Sequence, residues 1–477
     1  DVLAYILQHN AYPPGKQDLT DDPEVLSRIP VADYTSPTAI KDAVPPVFIR
    51  GKFGIIPHSA SPMQWEFEES IDEGGDWLYG NHDYTGRRYS PLARINRRNA
   101  GRLQPAASFN IDGDSGIQTG PVVYEGIMYV TTGYTTLALD AVSGREIWRH
   151  VWEPTKQVAW TGNQGVAIKG GRVIRVTADG YLLGLRIGNG SLLYARRISD
   201  PSAGDPLNMA PLLYKSRILV GSSNWVGAYQ LKNGAAVWRY EPDGGMSNPK
   251  GLSDRAVRTL YSLDIETEEL YAVVSNTLVA LDISKGSLKW SEPSGSDETS
   301  DRNHMQLGPM FQAQVDSDVR RLVATARMGS MIQVRDRETW ENLYEAPITS
   351  GPADIPNGML MDGPGYNPDM DMLYLSAAPS PGGLTAVDAA TGAIRWQYRA
   401  SLPMVAAVTT TAGGLVFTGE LTGNFIVFDA RSGDALYQFN TGKPIGGEII
   451  TYEVDEKQYI AVISGRISSS VSVFAVP

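Results

Sequence analysis

Short runs in which apolar and polar residues alternate recur along most of this chain, each bounded by a turn signal. VVYEGIMYVTT (122–132), RILVGSS (217–223) and GGLVFTG (413–419) are three of them. Such a period of two places one set of side chains on a buried sheet face and predicts β-strands. Downstream of these runs stand seven segments built on one pattern, apolar-x-Asp-x-x-x-Gly-x-x-apolar-aromatic. They are ALDAVSGREIW (138–148), GLRIGNGSLLY (184–194), AYQLKNGAAVW (228–238), ALDISKGSLKW (280–290), QVRDRETWENLY (333–344), AVDAATGAIRW (386–396) and VFDARSGDALY (427–437). Each reads as two strands around a tight turn. The Asp accepts turn amide hydrogens, the Gly supplies a positive φ, and the terminal aromatic falls on a buried face where it can pack against a neighbouring unit.

Four short strands per unit make a propeller blade. Seven repeats do not close a ring unless the chain ends add a blade. YIAVISGRISSSVSVFAV (459–476) supplies strands without the motif, and RINRRNAGRLQPAASFNI (94–111) supplies the missing outer strand. Pairing first with last strands removes the open edge, a hazard for aggregation. The expectation is all-β: an eight-bladed propeller, rather than a seven-bladed one, preceded by a short N-terminal helix. That helix is predicted from Val2, Leu3, Ile6 and Leu7, spaced as a helical stripe and stopped by Pro13-Pro14-Gly15.

Composition changes the picture in three respects. With 49 Gly and 30 Pro, the chain has the turn residues that many short strands require. Its net charge of −12 argues against nucleic acid or an anionic membrane surface as partner. The absence of cysteine excludes disulfides, thiolate metal sites and covalently attached haem within this chain. No run of about 18 apolar residues predicts a transmembrane helix, and no signal peptide stands at the start, where the chain begins as though something upstream had been removed.

Two stretches carry a resemblance. DWLYGNHDYTGRRYSPLARINRRNAGRL (76–103) resembles the segment that leads into the propeller of pyrroloquinoline-quinone (PQQ) dependent alcohol dehydrogenases. TTAGGLVFTGELTGNFIVFDARSGDALYQFNTG (410–442), with ITYEVDEKQYIAVISG (450–465), resembles their last full blade. The repeats alone would also suit the non-enzymatic propeller lipoproteins of outer-membrane assembly. Residues 1–19 are similar to the last helix of a small c-type cytochrome, with 20–75 as a linker and 76–477 as the propeller. This organisation is that of the polyvinyl-alcohol dehydrogenase type, whose cytochrome c domain, with its haem, would precede residue 1.

The resemblance implies chemistry as well. In this family PQQ lies on the propeller axis beside a Ca²⁺ or lanthanide ion, held by a Glu, an Asn and the quinone, and a nearby Asp takes the alcohol proton. Here the stretch expected to hold the Glu reads LVGSSNWVGAYQ (219–230), without an acid. AVVSNTLVALD (272–282) keeps Asn276 as a metal candidate but lacks the loop that would carry the Asp. Arg327 matches the basic residue placed beside the quinone oxygens and is also a candidate for catalysis. Gln118, Gln164 and Asn208 stand where a Glu, an Arg and a Thr are usual, and Arg258 aligns with the tryptophan that stacks under the quinone. Ser222 lies in the shortened turn. PQQ carries three carboxylates, so Arg258 and Arg327 would act as cationic replacements. Trp225 or Trp160 would offer a stacking face, although a core role is the commoner one for a tryptophan. His304, in DETSDRNHMQLGP (297–309), is a further catalytic candidate; Asp354 and Asp362 are weaker ones.

These residues leave three functions open. One is PQQ-dependent oxidation of secondary or polymeric alcohols, with electrons passed to a c-type cytochrome. The second is a catalytically silent propeller acting as a scaffold or cytochrome partner, and the third is a polymer-binding module. A periplasmic or secreted location follows from the resemblance.

Overall fold

The repeat turns fold as their residues dictate. In a computed structural model of the chain, Asp140 Oδ1 accepts the amides of Val142 and Ser143 at 3.1 and 2.7 Å, and Asp282, Asp336, Asp388 and Asp429 do the same in their own turns. Two repeats lack that Asp, and there Asn189 and Asn233 accept the amides of Ser191 and Ala235. The structure describes residues 47–49, 52–54, 61–70, 72, 74–111, 120–156, 158, 165–203, 207, 209–242, 261–275, 277–293, 305–327, 331–347, 363–377, 382–465 and 469–477. The predicted N-terminal helix lies outside them. Within the stretch read as a linker, a helix spans Gln64–Glu69.

Eight antiparallel sheets stand around one axis. Blades 1 to 7 are four consecutive strands each, over 122–151, 167–197, 212–240, 261–293, 305–347, 365–399 and 409–440. Blade 8 joins Ile449–Val454, Lys457–Ser464 and Ser469–Ala475 to Gln104–Ile111, with Ser469 opposite Ile111 and Ala475 opposite Gln104. The chain ends therefore close the ring as predicted.

Apolar clusters fill the gaps between adjacent sheets, and the motif aromatics bridge the outer parts of these gaps. Trp148 Nε1 donates to Ile187 O of the next blade at 2.8 Å, Trp238 to Ile283 O at 2.9 Å, and Trp396 to Ala430 O at 3.0 Å. Each ring lies over the motif glycine of that next blade. A Cβ on Gly286 would sit 2.4 Å from the Trp238 ring, and the glycine's φ of +70° is one that L residues rarely adopt. Blade 5 replaces this glycine with Trp340 at φ +63°, and Trp290 of blade 4 stacks flat on it, centroids 3.5 Å apart. At the closure, Phe109 of blade 8 covers Gly144 of blade 1.

The inner strand of a blade has an edge with no further strand beside it, and its backbone groups need partners. Residues 77–90 supply them by threading the axis. Trp77 pairs with Val123 in blade 1, and the hydroxyls of Tyr79 and Tyr84 donate to Leu213 O in blade 3. Main-chain oxygens of Tyr84, Thr85, Arg87 and Arg88 then accept, in turn, the amides of Leu263, Met310, Tyr366 and Thr410, from blades 4 to 7. Tyr89–Ser90 finally adds a short parallel strand to Thr409–Thr411. These bonds tie the segment, a plug in the ring, to the inner strands of blades 1 and 3 to 7.

Candidate functional site

Inner strands all run in one direction, from the connections between blades toward the first hairpin turn of each blade. One face of the ring thus collects the between-blade connections and the turns between second and third strands. Ser222, Trp225 and the backbone of Arg327 are described there. Gln118, Gln164, Asn208, Arg258, Asn276 and His304 lie outside the described residues, as do Trp160, Asp354 and Asp362. Gly120 and Gly165, which follow Gln118 and Gln164, form a parallel bridge between blades 1 and 2.

The turn of blade 3 is tight. Ser222 N donates to Trp225 O at 2.9 Å, Ser222 Oγ accepts Asn224 N at 3.1 Å, and a Cβ on Gly221 would meet Trp225 O at 2.2 Å. The Trp225 ring is buried in the core between blades 2 and 3, with the Arg239 guanidinium 3.9 Å from its centroid. One face of this ring is therefore taken by a cation of the protein itself. Arg327 ends the second strand of blade 5, opposite Met305 and Met331.

Residues not singled out in the sequence form the axial floor. The Arg88 backbone bonds to Thr410 at mid-height, but its side chain reaches toward the connection face. Nε donates to Val408 O, just before the inner strand of blade 7, and one terminal nitrogen donates to Gly80 O and Asn81 Oδ1. The other pairs with the Glu448 carboxylate, just before the inner strand of blade 8. The side chains are 1% and 9% exposed, so the pair is almost wholly removed from water, where such a pair holds only if its remaining groups are bonded. Below it, burial pushes the His82 imidazole down to about 4, and Nδ1 has no hydrogen-bond partner. His82 adopts φ +73° and meets the Trp77 ring edge-on at 4.6 Å. Asp83 accepts Thr85 N and Oγ1 at 2.8 and 2.7 Å and Arg87 Nε at 3.0 Å. Burial alone would raise its pKa, but Arg87 and these bonds leave it below the usual range.

A second cation stands at the same face between blades 1 and 2. Arg175 is fully buried and donates to Thr132 O, Gly133 O and Thr136 Oγ1 of blade 1. Burial lowers it to about 9, partly offset by Asp179. Asp179 accepts Trp152 Nε1 at 3.1 Å and Thr155 N at 2.9 Å, bracing the connection that leads toward Gln164.

A tricarboxylate quinone asks for cations, amides and a dry, closed end. Arg88 and Arg175 are both spent on protein groups, Arg88 on Glu448, Val408 O, Gly80 O and Asn81 Oδ1 and Arg175 on Thr132 O, Gly133 O and Thr136 Oγ1, while Ser275 Oγ, beside Asn276 in the chain, is a buried polar atom with no partner. Among the described residues, which leave out Asn276, no three His, Cys, Asp or Glu side chains converge as they would around a metal ion.

Residues 77–195 match the profile of a family described as the β-propeller domain of glucose, ethanol and alcohol dehydrogenases. Residues 138–398 and 363–467 match one described as the outer membrane protein assembly factor BamB. The quinohemoprotein alcohol dehydrogenase ADH IIB of Pseudomonas putida is 22% identical over 82% of this chain and 74% of its own length. Among solved structures, the quinohemoprotein alcohol dehydrogenase ADHIIG of Pseudomonas putida HK5 superposes with a TM-score of 0.76 at 20% identity, covering 87% of this chain and 82% of that one. A europium-containing methanol dehydrogenase gives 0.74 at 21%, covering 86% and 100%.

Proposed function

The chain belongs to the PQQ-dependent quinoprotein alcohol dehydrogenase family, and from that premise we propose that it oxidises alcohols, secondary or polymeric ones included, and passes the electrons to a c-type cytochrome. The observation that carries this reading is the bonding of residues 77–90 to the inner strands of six blades. A propeller used only as a docking disc has no need of a plug bonded to the inner strands of six blades, with an ion pair buried on its upper side. A dehydrogenase does, because hydride transfer is protected when water is kept out of the site.

Bound PQQ would supply a two-electron acceptor on the axis. The protein's own part is to hold and orient. The plug lies below, bonded to six blades, and the Arg88–Glu448 pair is buried on its upper side. Arg175 and Asp179 fix the turn of blade 1 and the connection into blade 2, which border the ligand's position. Gln118, Gln164, Asn208, Arg258 and Arg327 are the contacts we propose for its carboxylates and carbonyls, with Asn276 as the metal contact. No step is assigned to a metal. The cytochrome acceptor and a periplasmic location rest on the resemblance of residues 1–19 and on relatives named quinohemoproteins.

A second reading has its own support in the match of residues 138–398 and 363–467 to the assembly-factor profile. In it the propeller is a scaffold. Calorimetric titration with PQQ, in Ca²⁺ and in a lanthanide, followed by dye reduction with short diols and polyvinyl alcohol, separates the two. Tight binding with turnover is expected. Absence of binding under both ions would discard the enzyme and leave the scaffold.

A further inference from the structure

We propose that a cleft between residues 91–103 and the turns of blade 7 binds phosphate, as orthophosphate or as the head of a small phosphate monoester. The cleft lies on the face opposite the between-blade connections. It goes beyond the dehydrogenase reading and does not depend on it.

Residues 91–103 join the plug to the outer strand of blade 8 and cross blade 7 on the way, with Gly101 against Leu436 O. Where they cross, a cleft of about 500 Å³ is lined by Asn96, Arg97, Arg98, Gly413 and Asp429. Gly413 belongs to the first hairpin turn of blade 7, and Asp429 opens the turn between its third and fourth strands. The backbone around the cleft is fixed. Arg97 N donates to Gly413 O at 3.3 Å, and a Cβ on Gly413 would meet Ile95 O at 2.2 Å, so a side chain there would force the two segments apart. The Asn96 side chain is engaged within its own loop, where Oδ1 accepts Arg98 N at 3.0 Å and Nδ2 donates to Ala93 O at 3.1 Å. The Arg97 stem lies along Gly414, and a Cβ on that glycine would sit 3.0 Å from Arg97 Cδ.

The charge of the cleft runs against that of the chain. Arg97 Nε pairs with Asp429 Oδ2 at 2.6 Å, and Asp429 Oδ1 accepts the amides of Arg431 and Ser432 at 2.8 and 3.2 Å. The one carboxylate of the lining is therefore engaged on both oxygens. The terminal nitrogens of Arg97, a side chain 51% exposed, and the whole guanidinium of Arg98 bond to nothing among the described residues. Two cations thus stand against one occupied anion, in a chain of net charge −12. Arg102 and Arg431, both exposed and neither ion-paired among the described residues, flank the cleft. Asp434, the other acid of the blade 7 turn, accepts Ser432 Oγ at 2.7 Å. Guanidinium groups on consecutive residues offer more N–H donors than one planar carboxylate accepts, whereas phosphate has oxygens to share between two forks. Orthophosphate alone leaves most of about 500 Å³ empty, which is room for the organic part of a small ester. The net charge of −12 repels an anionic lipid surface, so the phosphate is that of a soluble molecule. Bound there, it would bridge residues 91–103 to blade 7 and brace the closure of the ring.

The test is calorimetric titration of the full chain, at low ionic strength, with orthophosphate, glycerol 3-phosphate and acetate. Saturable binding of one phosphate per chain is expected, and the ratio of the two phosphate affinities tells the ester from the orthophosphate ion as the preferred ligand. Arg98→Gln removes an exposed, unpaired side chain, so it should fold as the parent does and weaken phosphate binding about tenfold or more. Arg399→Gln is the control. It removes the same charge from the end of the outer strand of blade 6, at the connection face, and should leave the affinity unchanged. The unfolding temperature of the parent should rise with phosphate concentration, and that of Arg98→Gln should rise less. Absence of saturable binding by either phosphate overturns the proposal, and so does acetate bound as tightly as phosphate. Equal weakening in the two variants also overturns it, since attraction to the chain as a whole would then account for the binding. None of these results bears on the dehydrogenase reading, because the quinone takes no part in the titrations.

Discussion

Gly286→Ala tests the physical basis of the ring at a single methyl group. The new Cβ would lie 2.4 and 2.5 Å from Cε3 and Cδ2 of Trp238, well inside contact distance, at a backbone φ of +70°. Three costs combine. An L residue held in the left-handed region costs roughly 1–2 kcal/mol, and forcing an indole out of a packed seam costs roughly 1–3 kcal/mol. Tilting Trp238 also stretches its 2.9 Å bond to Ile283 O, for about 0.5–1.5 kcal/mol. The expected loss is therefore about 3–6 kcal/mol. Gly442→Ala is the control, because Gly442 has φ +76° but nothing within 4 Å of the added Cβ. It bears only the backbone strain, about 1–2 kcal/mol. Urea midpoints of the two variants, read by far-UV circular dichroism, measure the difference. Equal midpoints would refute the claim that indole-on-glycine docking holds blades 3 and 4 together.

Three further outcomes follow from the axis and the closure. Arg88→Met leaves the Glu448 carboxylate buried without its cation and should cost about 3–5 kcal/mol, most of it recovered in Arg88→Met/Glu448→Leu; a urea midpoint unchanged by the single substitution would mean that the pair does not secure the plug. His82 remains neutral in the folded chain down to about pH 4, whereas the unfolded chain protonates it near 6.5. The unfolded state therefore binds more protons in that window, and stability should fall as pH drops from 6.5 to 4; in His82→Asn, a residue that tolerates positive φ, this part of the stability–pH curve should flatten. Phe109→Ala opens the seam between blades 8 and 1 at a cost of roughly 2–4 kcal/mol, and light scattering on heating should show earlier aggregation than the parent as strand edges come apart.

The fold was legible because each repeat states its own turn. Asp140, Gly144 and Trp148 lie within nine residues, and the bonds they make are to that turn and to the adjoining blade. Even the departure at Trp340 keeps the position's positive φ and its contact with the preceding blade. Blade 8 was readable from complementary gaps at the two ends of the chain. The helix at Gln64–Glu69 was not, because its six residues show too little periodicity. It is held from outside, where Gln64 accepts from Lys169 Nζ and from the Lys215 amide.

The site divides along the same line. A chain searched for acids at family positions shows what is missing at 219–230 and 272–282, and that much is a property of the sequence alone, as are the strand pattern, the turn chemistry and the blade count. Arg88 and Glu448 are 360 residues apart, and no local pattern joins them. Glu448 follows two glycines in a stretch without a strand motif, and Arg88 is one of six arginines between residues 87 and 102. Only ring closure brings the first inner segment against the last blade. Which carboxylate is buried, and beside which cation, was settled there, because burial and ion pairing depend on what surrounds a side chain in space and not on its neighbours along the chain.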